Sequence, residues 1–221
     1  MLNVQNVSFT YKNKMNQSTV HVLEDVNVSF EPGKFYTIFG PSGSGKTTFL
    51  ALLGGLDKPD SGNITVSGID IKEIGFSRLR KEIVSYVFQN YYLFPYMNAI
   101  ENVVMAMNEK LSYKENSGKA INILQSLSIM TDEMERKVKR LSGGQQQRVA
   151  IARCLASGAE YILADEPTGN LDNKTASTIV ELFKDLAKKQ NKCVIVVTHS
   201  DMIKSNSDIS YRLCDKKIEI Y

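Results

Sequence analysis

Hydrophobic and polar residues alternate from the start of the chain, with Leu2, Val4, Val7 and Phe9 spaced as one face of a strand. Segments rich in Val, Phe, Tyr and Ile run from Leu2 to Tyr11, Val20 to Phe30 and Phe35 to Phe39, and Glu31-Pro32-Gly33-Lys34 supplies turn chemistry between the last two. The opening third therefore predicts β-structure. From Thr47 the pattern changes to that of a helix (Thr48, Phe49, Leu50, Ala51, Leu52, Leu53), stopped by Gly54-Gly55 and followed by a dense turn cluster from Leu56 to Gly62. Between Ser77 and Met134 helical spacing dominates, as in Ile100, Val103, Val104, Met107 and in Ile121, Leu124, Leu127. This block predicts a mostly helical insertion. A helix from Gln145 to Ala156, a strand from Tyr161 to Ala164, a helix from Thr175 to Lys188 and a strand from Cys193 to Val197 follow. Such alternation predicts an α/β core with a parallel sheet.

Composition narrows the picture. A chain of 221 residues with ordinary hydrophobic, charged and glycine contents can bury its own core. The net charge of +3 arises from scattered acids and bases, so no basic stripe for nucleic acid is expected. Cys154, Cys193 and Cys214 have no metal-like spacing and are expected to pack as free thiols, as suits a reducing, cytosolic compartment. No run approaches the roughly 20 apolar residues of a membrane span, so a membrane role is expected to come through a partner.

Gly40-Pro41-Ser42-Gly43-Ser44-Gly45-Lys46-Thr47 fits a phosphate loop, and it lies where such a loop must, between a strand and a helix. Its backbone N–H groups can converge on phosphate oxygens, Lys46 can reach the β and γ phosphates, and the Thr47 hydroxyl can ligate Mg²⁺. Downstream, the apolar run Tyr161 to Ala164 ends in Asp165-Glu166 at the edge of a sheet where ligands collect. Asp165 is the natural metal partner, and Glu166 the candidate to orient and deprotonate an attacking water. Taken alone, two acids ending a strand are as readily a solvated strand end.

Leu141-Ser142-Gly143-Gly144-Gln145, followed by Gln146 to Arg153, resembles the signature motif of ABC ATPases. The same glycine turn taken in isolation could be only a helix cap. The resemblance extends over essentially the whole chain. It implies a P-loop NTPase core with a parallel sheet, an N-terminal antiparallel β subdomain and an inserted helical subdomain. The core and β subdomain would comprise about residues 1–88 and 158–221, and the helical subdomain about 89–157, within one ATP-binding domain. It also implies ATP held between two head-to-tail copies, the signature of one facing the P-loop (with Thr48) of the other. Tyr11 resembles the aromatic that stacks on adenine, although a Tyr on a half-buried strand needs no such role. Gln89, closing a strand from Ile83 to Phe88, resembles the Q-loop glutamine that touches Mg²⁺ and water. Gly169-Asn170-Leu171-Asp172 resembles the D-loop, and His199 the switch histidine, although a His ending a strand is often only a polar terminus. His21 lacks such context and is expected to be structural.

Gly55 to Gly62 and Pro167 to Asp172 are similar to the branch containing MacB, LolD, FtsE and bacitracin-type peptide exporters. That similarity implies a peripheral subunit at the cytoplasmic face of the membrane, driving a separate permease, with or without an adaptor protein. The implied work is export of peptides, including antimicrobial peptides, or of lipid-linked substrates. FtsE-like mechanical signalling to cell-wall hydrolases is an alternative. A soluble ABC ATPase acting on DNA or ribosomes is disfavoured by the short interval from Lys46 to Ser142. The stretch Tyr91 to Met97 falls where the family receives a permease's coupling helix, or it packs inside the helical block. Two departures stand out: the basic run Lys137-Val138-Lys139-Arg140, and Cys214-Asp215-Lys216-Lys217, which lacks the glycine often found in that turn.

Overall fold

The computed structural model describes residues 1–12, 18–107 and 111–221. In chain order the elements are β1 (Leu2–Lys12), β2 (Thr19–Phe30), β3 (Phe35–Phe39), α1 (Lys46–Leu53), β4 (Ser61–Val66), β5 (Ile69–Asp70), α2 (Ile71–Ile74), α3 (Phe76–Arg78) and β6 (Val84–Val87). They continue as α4 (Ala99–Val104), α5 (Tyr113–Ser126), α6 (Thr131–Met134), α7 (Gly143–Ala156), β7 (Tyr161–Asp165), α8 (Asn173–Gln190), β8 (Cys193–Val197), α9 (Asp201–Asn206), β9 (Ile209–Cys214) and β10 (Lys217–Ile220).

Two sheets organise these elements. One is antiparallel, in the order β2-β1-β4-β5; the other runs β10-β9-β3-β8-β7-β6 and is parallel except for the β9–β10 hairpin. The central strands are buried on both faces, as a parallel sheet covered on both sides requires. In β8, Cys193, Ile195 and Val197 point to a core shared with the antiparallel sheet and α1, while Val194 and Val196 point to a second core built with α4, α5, α7 and α8. Phe30 joins the two sheets, its ring 5.0 Å from Tyr36 and 5.8 Å from Tyr211, both edge-on. Deleting one ring from such a cluster costs about 3–5 kcal/mol. Parallel pairing sets the C-terminal ends of β3, β7 and β8 side by side, with Asp165 opposite Val197.

Several boundaries differ from the sequence reading. The signature helix starts at Gly143 instead of Gln145, because Ser142 is its N-cap: the Ser142 hydroxyl accepts from Gln145 N at 3.3 Å, and Gln145 Oε1 accepts from Ser142 N at 2.7 Å. Ile83 belongs not to a strand but to a π-helical turn, Leu79–Ile83, so β6 is shorter than expected and ends two residues before Gln89. Cys154 and Cys193 are buried, whereas Cys214 is half-exposed beside Asp215 instead of packed. At the glycine-free turn Asp215 and Lys216 both adopt positive φ, 49° and 66°, the twist a two-residue hairpin needs. Lys216 then offers its carbonyl to Glu24 N at 3.0 Å, fastening the hairpin to β2.

Candidate nucleotide site

The loop between β3 and α1 owes its shape to two glycines. A Cβ on Gly40 would lie 2.1 Å from Leu213 O, and Gly45 takes φ 101° with Val22 packed where its side chain would be. Gly45 is also the N-cap of α1, and no side chain caps that end, so the first-turn N–H groups and the helix dipole are left for an anion. Lys46 is buried and folds back to donate to Gly40 O and Pro41 O, both at 2.9 Å. Burial lowers its pKa, while Glu166 and Asp165 favour its charged form.

A cavity of about 390 Å³ opens over this loop. Its lining includes Ser42, Gly43, Gly45, Lys46, Thr47 and Thr48, together with Tyr11, Gln89, Asp165, Glu166 and His199. Val20 and Val22 of β2 complete an apolar wall that the motifs did not indicate; only the strand pairing that lays β2 over the loop reveals them. Tyr11 is half-exposed and its hydroxyl lies 3.1 Å from Thr48 Oγ1. Gly40, Pro41 and Ser44 shape the loop from outside this lining, Ser44 N donating to Pro41 O at 3.2 Å.

Asp165 ends β7 almost fully buried. Desolvation raises its pKa, opposed by a hydrogen bond from Thr47 and the charge of Lys46 and reinforced by Glu166. Thr47 and Asp165 thus offer facing oxygen donors of the kind a hard divalent cation such as Mg²⁺ takes, and the buried carboxylate gains from such a charge. Glu166 has φ 45°, a left-handed backbone that turns it out of the strand toward the cavity. Thr198 Oγ1 donates to Glu166 Oε2 at 3.0 Å, and the backbone N–H of His199 does so at 3.4 Å. The other oxygen, Oε1, is buried without a hydrogen-bond partner, with His199 Nε2 3.6 Å away. One oxygen anchored and one unengaged is the arrangement of a carboxylate able to accept a proton from water.

The signature and D-loop residues lie elsewhere. None of Leu141, Ser142, Gly143, Gly144 and Gln145 lines the cavity. Ser142 and Gly143 are exposed, and Leu141 is buried in the second core. A Cβ on Gly144 would lie 3.4 Å from Leu171 Cδ2 and 3.5 Å from Asn170 O, so the signature and the D-loop form one surface. Asp172 caps α8, accepting from Thr175 N at 3.0 Å and Thr175 Oγ1 at 2.7 Å.

The ABC transporter family model matches residues 23–169, which contain the loop, the signature and the two acids. The chain belongs to the ABC transporter family. It is an ATPase cassette of that family. It is 49% identical over 214 residues to the ABC transporter ATP-binding protein YclH of Bacillus subtilis, covering 96% of this chain and 93% of that one. It is 40% identical over 202 residues to the lipoprotein-releasing system ATP-binding protein LolD 1 of Chlorobium chlorochromatii, covering 89% and 82%. Among solved structures, the cassette MJ0796 of Methanocaldococcus jannaschii superposes with a TM-score of 0.92 at 37% identity, covering 99% of this chain and 97% of that one. That cassette is described as a dimer in a post-hydrolysis state bound to ADP and Pi. Among the described residues, no helix is long and apolar enough to cross a membrane.

Proposed function

We propose that this chain is the ATP-hydrolysing subunit of a transporter of the MacB and LolD branch, acting as a head-to-tail homodimer on a separate integral-membrane permease. The observation that carries this reading is the division of the site. The loop, Asp165, Glu166 and His199 share one cavity, while the exposed signature end of α7 lies outside it, as a surface for a second copy. ATP would lie with its adenine on Tyr11 and its phosphates along Gly40 to Thr48, and Ser142, Gly143 and Gly144 of the second copy would close over the γ phosphate. Lys46 exchanges its two carbonyl partners for phosphate oxygens. Mg²⁺, held by Thr47, Asp165 and Gln89, would neutralise phosphate charge. Glu166 takes the proton from the attacking water through Oε1, with Thr198 holding Oε2 fixed, and His199 orients the water and the γ phosphate.

The permease contact is assigned to the surface around Tyr91 to Met97. Tyr92, Phe94 and Tyr96 are exposed there, beside a groove of about 420 Å³ bordered by Leu56, Arg80, Phe88 and Met105. Export of peptides or lipid-linked molecules follows from the branch resemblance, and the subunit then sits at the cytoplasmic membrane face. A tagged Glu166→Gln chain, expected to bind ATP without turnover, would be used to recover partners from detergent-solubilised native membranes. Recovery of a permease with a large extracytoplasmic domain is expected; recovery of ribosomes or DNA without membrane protein would overturn the reading.

A further inference from the structure

Two loops leave the nucleotide cavity in different directions: one follows Gln89, the other follows Glu166. They meet again through a single side chain. The Tyr91 phenol oxygen accepts from Asn170 Nδ2 at 2.7 Å and lies 3.3 Å from where a Cβ on Gly143 would be. The Tyr91 carbonyl accepts from Arg153 Nη2 at 2.8 Å, and Arg153 Nη1 donates to Tyr92 O. Tyr91 and Tyr92 both hold left-handed backbones, φ 60° and 45°, which non-glycine residues keep only when their surroundings impose them. A half-buried guanidinium gripping both carbonyls is such an imposition. Gly143 and Arg153 lie on the same helix, α7, so Tyr91 is laid along that helix, bonded to it at Arg153 and lying close to its start at Gly143.

We infer that Tyr91 is a positioning residue for hydrolysis: clamped to α7 by Arg153, its hydroxyl cross-braces the loop after Gln89 to the loop after Glu166. Gln89, assigned to Mg²⁺, and Glu166, assigned to the attacking water, must keep one relative geometry, and they follow different strands, β6 and β7. Gln89 lies two residues before Tyr91, and Glu166 four residues before Asn170. A hydroxyl at position 91 limits their relative drift; Phe would keep the ring and lose the brace. Because Asn170 O also lies 3.5 Å from where a Cβ on Gly144 would be, the brace reaches the surface assigned to the second copy. The inference rests on the assignment of Gln89 and Glu166 made above.

The test is a double-mutant cycle of Tyr91→Phe and Asn170→Ala in the full chain. ATPase kinetics, melting temperature, and ATP-dependent dimerisation in the Glu166→Gln background would be measured. Tyr91→Phe is expected to lower kcat roughly two- to tenfold, the range of one neutral hydrogen bond, with KM for ATP and melting temperature unchanged. The double variant should fall no further than the weaker single one. A merely structural tyrosine would instead lower the melting temperature or raise KM. Wild-type kcat in Tyr91→Phe, or losses that multiply in the double variant, would overturn the brace. If the wild-type chain neither dimerises nor hydrolyses ATP, the assignment beneath it fails first and the brace with it.

Discussion

Two helices in this chain begin at glycine-rich turns, and they end up chemically opposite. At α1 the N-cap is Gly45, no side chain satisfies the first-turn N–H groups, and the surrounding loop is threaded by a buried lysine. At α7 the N-cap is Ser142, which with Gln145 forms a reciprocal cap, and the turn is open to solvent. The first end has its charge, its loop and its acids assembled within one chain. The second has two of its end groups, the N–H of Ser142 and of Gln145, satisfied by its reciprocal cap, and none of its turn residues lines the cavity over the loop. On the function proposed above, the first end takes the phosphates of ATP bound to its own chain, and the second meets a γ phosphate only on another copy.

The largest effect should come from the side where one chain suffices. Glu166→Gln is expected to lower kcat roughly 10²- to 10⁴-fold, the usual worth of a positioned general base, while ATP binding by equilibrium titration persists. Retained turnover would break the contrast at its catalytic end. Lys46→Ala should weaken ATP binding roughly 10- to 150-fold, as removal of charge-assisted hydrogen bonds predicts, whether or not the chain can dimerise. Titration of Mg²⁺ with ATP as pH is lowered gives a third test. Burial and Glu166 hold the Asp165 carboxyl above its ordinary value, and a cation held there as proposed needs the carboxylate. Affinity should thus decline by about tenfold per pH unit below that raised value. The sign for the empty chain is opposite: a raised carboxyl pKa means tighter proton binding by the folded state, so this group adds stability as pH falls through the same window.

On the other side, Ser142→Ala should cost about 1 kcal/mol in thermal unfolding from the lost cap and should lower turnover without altering ATP affinity of the monomer. A large drop in monomer affinity would merge the two ends into one site. The smallest effect belongs to neither. Asp208 bonds Phe35 N and Lys188, each within 2.8 Å. Desolvation raises its pKa, but those bonds and the charges of Lys188 and Lys34 outweigh it and leave it depressed. Its contribution is present above the ordinary carboxyl value and lost as pH falls through the depressed one. Asp208→Asn should cost at most about 1 kcal/mol at neutral pH, since the pair is partly exposed.

The legible parts of this molecule were those in which neighbours in sequence are neighbours in chemistry. The loop from Gly40 to Thr47, the run Tyr161 to Glu166 and the strand Cys193 to Val197 carry their pattern locally, and the strands expected fall within a residue or two, whereas β4, β5, β9 and β10 had no expectation. The missed start of α7 is a competition between caps that glycine spacing alone could not resolve: Ser142 needs Gln145 three residues on, which moves the helix start to Gly143. Of the π-turn Leu79–Ile83 only Ile83 was read as strand, because its β-branched side chain directly precedes Val84 and periodicity does not separate the two. Val20 and Val22 were read as strand residues, which they are; their place over the cavity depends on where β2 crosses the loop. The bond between Tyr91 and Asn170 spans 79 positions and leaves no trace in either segment.

Lys46, held by two carbonyls of its own loop, gives the empty cassette a property that matters for repeated use. With phosphate on Lys46 as proposed, departure of nucleotide would exchange one set of oxygens around the ammonium for another and strand no bare charge in a low-dielectric pocket. The loop need not collapse between turnovers and rebuild for the next. Vacating the pocket is then a small rearrangement around one ammonium.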